Sequence, residues 1–210
     1  MKNLLLLIVL AFSTTVFASN YKEAMIQNIE KLNKSQNATE IAELANAFDR
    51  IAQKETTEWL PLYYAAYSHI NVTIFNQQLT VDEKVKIIDQ AQQKLDAAKK
   101  ITETESEIHA LQALIYQMHI TIDSNQAYKY LTLCNEALGR AETLNGNNPR
   151  VAYMRGTLLF YTPVEYGGGA AVAKPLFEKA AKLFAAATTT DQLMPNWGAY
   201  HNNMMLSQCK

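Results

Sequence analysis

Cysteine is scarce. Cys134 and Cys209 are the two thiols in 210 residues, and neither a CxxC redox pair nor a zinc-ligand spacing exists. Two cysteines permit one intramolecular disulfide, which an exported protein can form. Cys134 also continues the apolar stripe Ala127, Leu131, Cys134, Leu138, as a buried thiol would, so both states stay open. An excess of either charge is missing too. The formal net charge is −1, and lysines and acids are interspersed in stretches such as 82-DEKVKIIDQAQQKLDAAKK-100. Without clustered cations to neutralise phosphates, a nucleic-acid or anionic-membrane partner is disfavoured. Catalytic signatures are absent as well: no G-x-S-x-G elbow, no H-E-x-x-H pair and no P-loop ending in Lys-Ser/Thr.

The four histidines do not assemble a site. His109 lies one turn from Glu105, His119 follows ten residues later without a third ligand, His69 sits among Tyr63, Tyr64 and Tyr67, and His201 adjoins Asn202 and Asn203. No set supplies nucleophile, base and oxyanion donor together, so neither an enzyme, a metal nor a cofactor is expected.

Long hydrophobic runs are confined to the start. Lys2, the apolar run 4-LLLLIVLAF-12 and the small-residue site 16-VFA-18 have the form of a secretory signal peptide over residues 1–18, with Ser19 as the mature N-terminus. No later run is long enough for a membrane helix. Removing the leader leaves 192 residues and a charge of −2. That length suits one domain, 19–210, in an exported, periplasmic or secreted protein.

What the chain has in abundance is the 3.6-residue period. Tyr21, Met25, Ile29 and Leu32 share one helix face; Ile41, Leu44, Ala45, Phe48, Ile51 and Ala52 share another. Similar stripes follow at Trp59–Phe75, Ile87–Ala98, Ile108–Ile122, Ser124–Leu144, from Pro149, at Ala173–Ala186 and from Trp197 to Met205. The spacing predicts an all-α chain of about nine helices. Starts are signposted by 37-NATE-40, 80-TVDE-83 and 104-TESE-107, each a capping side chain followed three residues later by glutamate. Asn148 before Pro149 predicts another start.

The segment 148-NPRVAYMRGTLLFY-161 followed by 173-AKPLFEKA-180 resembles a tetratricopeptide repeat (TPR). Gly156, Ala173, Phe177 and Ala180 occupy the small-residue and aromatic positions of that family. Weaker copies centre on Ala113 and Ala66, at spacings of 43 and 47 residues, longer than the usual repeat of about 34. The resemblance implies a TPR-like superhelix of antiparallel helix pairs, whose first helices line a concave groove. It implies partner contact at Arg150, Tyr153, Thr157 and Tyr161 in the last copy, at Glu107 and Gln117 in the middle one, and at Tyr63, Tyr67 and Asn71 in the first.

Three of the seven glycines stand together in 162-TPVEYGGG-169, an insertion of about five residues into the last repeat. Gly167, Gly168 and Gly169 either permit a tight reversal or offer their amides to an anion ahead of a helix, with Glu165 and Tyr166 flanking. The expectation is a non-catalytic binding module or scaffold for a protein or peptide partner in the cell envelope. The alternative is a small-ligand carrier that uses the inter-helix groove and the glycine loop.

Overall fold

The computed structural model describes residues 20–187 and 191–209, so the leader read in residues 1–18 lies outside the described residues. Among the described residues there are nine α-helices and no strand: α1 (20–34), α2 (Ala38–Lys54), α3 (Leu60–Phe75), α4 (Val81–Ile101), α5 (Ser106–Ile122), α6 (Ala127–Leu144), α7 (Pro149–Tyr161), α8 (Ala170–Ala186) and α9 (Ala199–Gln208). Short 3-10 turns, Ser124–Gln126 and Val164–Tyr166, precede α6 and α8.

The apolar stripes are buried where the period places them. Met25 and Ile29 of α1, Ile41 and Phe48 of α2, and Ile88 and Leu95 of α4 are closed to solvent. Removing a side chain of this size from water is worth about 1.5–3 kcal/mol. Caps behave unevenly. Thr80 and Glu83 make the complete reciprocal capping box, and Asn37 accepts amides of Thr39 and Glu40. The 104-TESE-107 signal does not act as a cap: α5 starts at Ser106 without a side-chain cap, and Glu107 is drawn into the interior instead. Helix α8 starts three residues earlier than its periodicity suggests. Pro175 therefore falls beyond the first turn, on the exposed side where its missing amide is tolerated.

Consecutive helices pack as antiparallel hairpins, α3 on α4, α5 on α6 and α7 on α8, while α5 also touches both α3 and α7. The close approach of α7 to α8 has a definite cause. A Cβ on Gly156 would lie 2.7 Å from the Phe177 ring, and Ala173, Phe177 and Ala180 are fully buried around it.

Two hydrophobic clusters result. The larger joins α1 through α7 with Leu193 and Trp197. A smaller one holds Ala173, Phe177, Met205 and Cys209 between α7, α8 and α9. Both cysteines are free and buried, each thiol turned toward a backbone carbonyl: Cys134 toward Ala113 and Cys209 toward Met205. Burial pushes the Cys134 thiol up to about 12.

Between α8 and α9 the chain crosses back over α3, α5 and α7 as a strap, residues 191–198. The Tyr64 hydroxyl donates to the Leu193 carbonyl at 3.0 Å, and the Trp197 indole donates to the Tyr63 hydroxyl at 2.8 Å. Trp197 also stacks on Tyr67 with ring centroids 5.1 Å apart. Trp197 thus belongs to the strap and not to α9, whose first residue is Ala199.

Candidate functional site

The face shared by α3, α5 and α7 is where a repeat array would receive a partner, and here the chain's own strap occupies it. Tyr63 is fully buried, and Tyr67 is covered by Trp197. Arg150 is 4% exposed. Its guanidinium donates to Glu107 at 3.0 Å and to the Pro195 carbonyl, and it lies 4.9 Å from the centre of the Trp197 ring. Burial pushes the Glu107 carboxyl upward, and Arg150, Asn148 and Tyr63 pull against that rise. Tyr153 leans on Phe177, and burial raises its phenol as well. Arg150, Tyr63, Tyr67 and Tyr153 are therefore packing residues. The repeat pattern puts them on the receiving face, but that face is already filled.

The glycine loop does not present free amides. The Gly167 amide donates to Val164, Gly168 to Pro163 and Gly169 to Leu159, all at about 3 Å, so no anion nest is left. The glycines are there for shape. Gly167 and Gly169 take φ of 81° and 102°, and a Cβ on Gly168 would sit 2.0 Å from the Thr162 carbonyl oxygen. The reversal holds Tyr166 and Val164 outward, 79% and 76% exposed, while Glu165 faces solvent.

Beside that loop lies an open groove of about 530 Å³. Its walls come from three helix ends: Gln117, Ile120 and Thr121 of α5, Ala127 and Leu131 of α6, and Thr157, Leu158 and Tyr161 of α7. Ser124, Thr162, Pro163 and Tyr166 complete the rim. Each wall follows from the helical period, which puts residues three and four apart on one face. The lining polar groups are neutral and mostly satisfied locally. Thr157 donates to Tyr153, Thr162 to Leu158, Thr121 to Gln117, and the Gln117 amide reaches the Met154 carbonyl at 3.0 Å. What the groove offers is apolar wall and aromatic edge, with Tyr161 70% exposed and its hydroxyl 4.0 Å from the Met205 sulfur. Its volume falls within the range of about 300–1,000 Å³ typical of small-molecule sites.

No protein-family model matches the chain, and no curated protein matches it in sequence. Among solved structures, the HusA haemophore from Porphyromonas gingivalis aligns with a TM-score of 0.80 at 30% identity, over 90% of this chain and 92% of that one. This chain belongs to the HusA-like family. The all-α architecture of the HusA-like chain is thus shared along nearly its whole described length.

Of the residues singled out in the sequence of this HusA-like protein, Gln117, Thr157, Tyr161 and Tyr166 are brought together in the groove. Ile120, Thr121, Ala127, Leu131, Leu158 and Pro163 were not foreseen. Their signal was available as the i, i+4 pair Ala127 and Leu131 and the i, i+3 pair Leu158 and Tyr161, but it reads equally as core.

Proposed function

We propose that the protein is an exported, non-catalytic carrier of a flat, largely apolar ligand of the haem or porphyrin class, held in the groove between α5, α6 and α7. The observation that carries this is the groove itself: an open apolar slot edged by two exposed tyrosines in a chain 30% identical to a haemophore. Burying a planar aromatic face against Leu131, Leu158 and Ile120 removes apolar area from water on both partners. The rings of Tyr161 and Tyr166 suit offset or edge contact with a macrocycle. The residue types fit iron as well as ring. No His, Met or Cys lines the groove, so Tyr161 and Tyr166 are the side chains able to offer an oxygen ligand to iron, a role tyrosine takes elsewhere. No Lys or Arg lines it either, so ligand carboxylates would point to solvent.

The scaffold reading is weaker because its receiving face is covered by the strap. An envelope protein remains a fitting partner as the acceptor of the ligand. Residues 1–18 as leader, a single domain over 19–210 and a TPR-type repeat all sit well with such a carrier.

Titration of the mature protein with haem tests the reading. Saturable binding is expected, with a Soret shift of one-to-one stoichiometry, weakened at least tenfold by Leu158→Asp. A Soret band unchanged from free haem, or a Leu158→Asp variant that binds as well as wild type, would remove the groove from consideration.

A further inference from the structure

Helix α7 is tied to α5 and α6 at one end only. At its N-terminal end the Asn148 amide donates to Ser106 and to Glu107, both at 2.9 Å. Arg150 bridges Glu107 and Pro195. Arg155 reaches Glu142 of α6 at 3.1 Å, and Lys179 of α8 approaches the same carboxylate at 3.9 Å. Midway along, Gln117 meets the Met154 carbonyl. Beyond Arg155, among the described residues, no hydrogen bond or ion pair crosses from α7 to α5 or α6. The hydroxyls of Thr121, Thr157 and Thr162 all return to their own helices. That unlinked end is where the groove opens.

The other requirement for a moving part is internal stiffness, and the α7–α9 unit has it. It owns the separate cluster of Ala173, Phe177, Met205 and Cys209. Phe177 packs against Gly156 and Phe160, the Gly169 amide ties the loop to Leu159, and Asn202 donates to the Phe177 carbonyl at 3.0 Å. The strap meets α7 at Arg150, on the linked side.

We infer that α7 and α8 form a lever, held over the linked stretch Asn148–Arg155, whose free end sets the width of the groove. Apolar contacts at the mouth slide without losing a directional bond, whereas the N-terminal links hold one geometry. The ligand then selects a width from those the free protein already samples. The identity of that ligand rests on the carrier reading; the motion does not.

Spin-label distances in the full mature chain test it. One pair, Asn125→Cys with Glu165→Cys, spans the mouth; a second, Glu103→Cys with Asn147→Cys, spans the linked end. The four positions are exposed, and the native thiols are buried. In the ligand-free protein the mouth distribution is expected to be at least twice as broad as that at the linked end, and Glu107→Gln should broaden the latter. Metal-free protoporphyrin IX should narrow the mouth alone. Equal widths in the ligand-free protein overturn the lever whatever the porphyrin does, and so does a mouth that stays broad while absorbance shows porphyrin bound. A broad mouth in a protein that binds no porphyrin supports the lever and removes the carrier reading instead.

Discussion

The two ends of α7 are built from different interactions. At Asn148–Arg150 the contacts are charged, buried and directional: Arg150 bonds to Glu107 and to the Pro195 carbonyl, and Asn148 bonds to Glu107, inside the fold. At Leu158–Tyr161 they are apolar, open and replaceable, and the aromatic surface left there is exposed. A polar network that loses one member leaves the others buried without partners, whereas an apolar wall that loses one side chain only becomes shallower. On the carrier reading, one end serves the fold and the other the ligand.

The most direct way to break that contrast is Arg150→Ala. It strands the Glu107 carboxylate in the interior and frees the strap carbonyl, so unfolding free energy should fall by about 3–5 kcal/mol, the usual consequence of removing one partner of a buried ion pair. Urea denaturation at neutral pH reads this directly. A loss under about 1 kcal/mol, the scale of a surface ion pair, would mean the network contributes no more than an exposed one.

Gly168→Ala acts at the junction between fold and groove. The added Cβ would meet a backbone oxygen, not the end of a flexible side chain, so the 162–169 reversal must shift. A cost of about 1–3 kcal/mol is expected from overpacking of this kind, together with weaker haem binding as Tyr166 moves. A variant that melts like wild type and keeps its haem affinity would show that the loop's shape is not critical.

Tyr161→Ala sharpens the comparison from the other side. The ring is 70% exposed, so stability should change by no more than about 0.5 kcal/mol. Haem affinity should nevertheless fall several-fold because an edge of the groove is gone. The decisive reading is the pair of numbers from one preparation. Affinity unchanged with stability unchanged would assign Tyr161 to neither task.

How much of this was legible beforehand divides along the same line. Local rules carried the helices: the 3.6-residue stripes, the Thr80–Glu83 box and the Gly156–Phe177 packing are all visible over a few turns of sequence. The strap was not. Trp197 reads as part of the last helix, because its partners Tyr63 and Tyr67 lie more than a hundred residues away. Glu107 misled for the same reason. Its spacing from Thr104 looks like a helix cap, and the arginine that claims it is 43 residues downstream. The repeat resemblance puts Tyr63 and Tyr161 alike on the receiving face, whereas the strap buries Tyr63 and Tyr161 stays exposed.

The smallest effect concerns two half-buried histidines, His69 and His119. His69 lies near Asp49 and Lys94 on the α2–α4 side, which bond at 2.9 Å, and burial holds its imidazole below the ordinary 6.5, with Lys94 adding to the depression and Asp49 opposing it. His119, stacked on Tyr130 at 4.3 Å between α5 and α6, is lowered by burial too. In both cases the unfolded chain takes up a proton more readily than the folded one below about pH 6.5, so stability present above that pH is lost as the pH falls. Carboxylates titrate in the same direction at lower pH, which makes the difference between wild type and variant the useful quantity. Between pH 7.5 and 5.5 the urea midpoint of wild type should drop more than that of His69→Gln, and more than that of His119→Gln. If His119→Gln alone flattens the profile, the acid-sensitive region lies on the α5–α6 side that also walls the groove, and ligand release at low pH becomes the next quantity to measure. If His69→Gln alone does so, the sensitivity belongs to the α2–α4 packing, and the groove should hold its ligand across the same range.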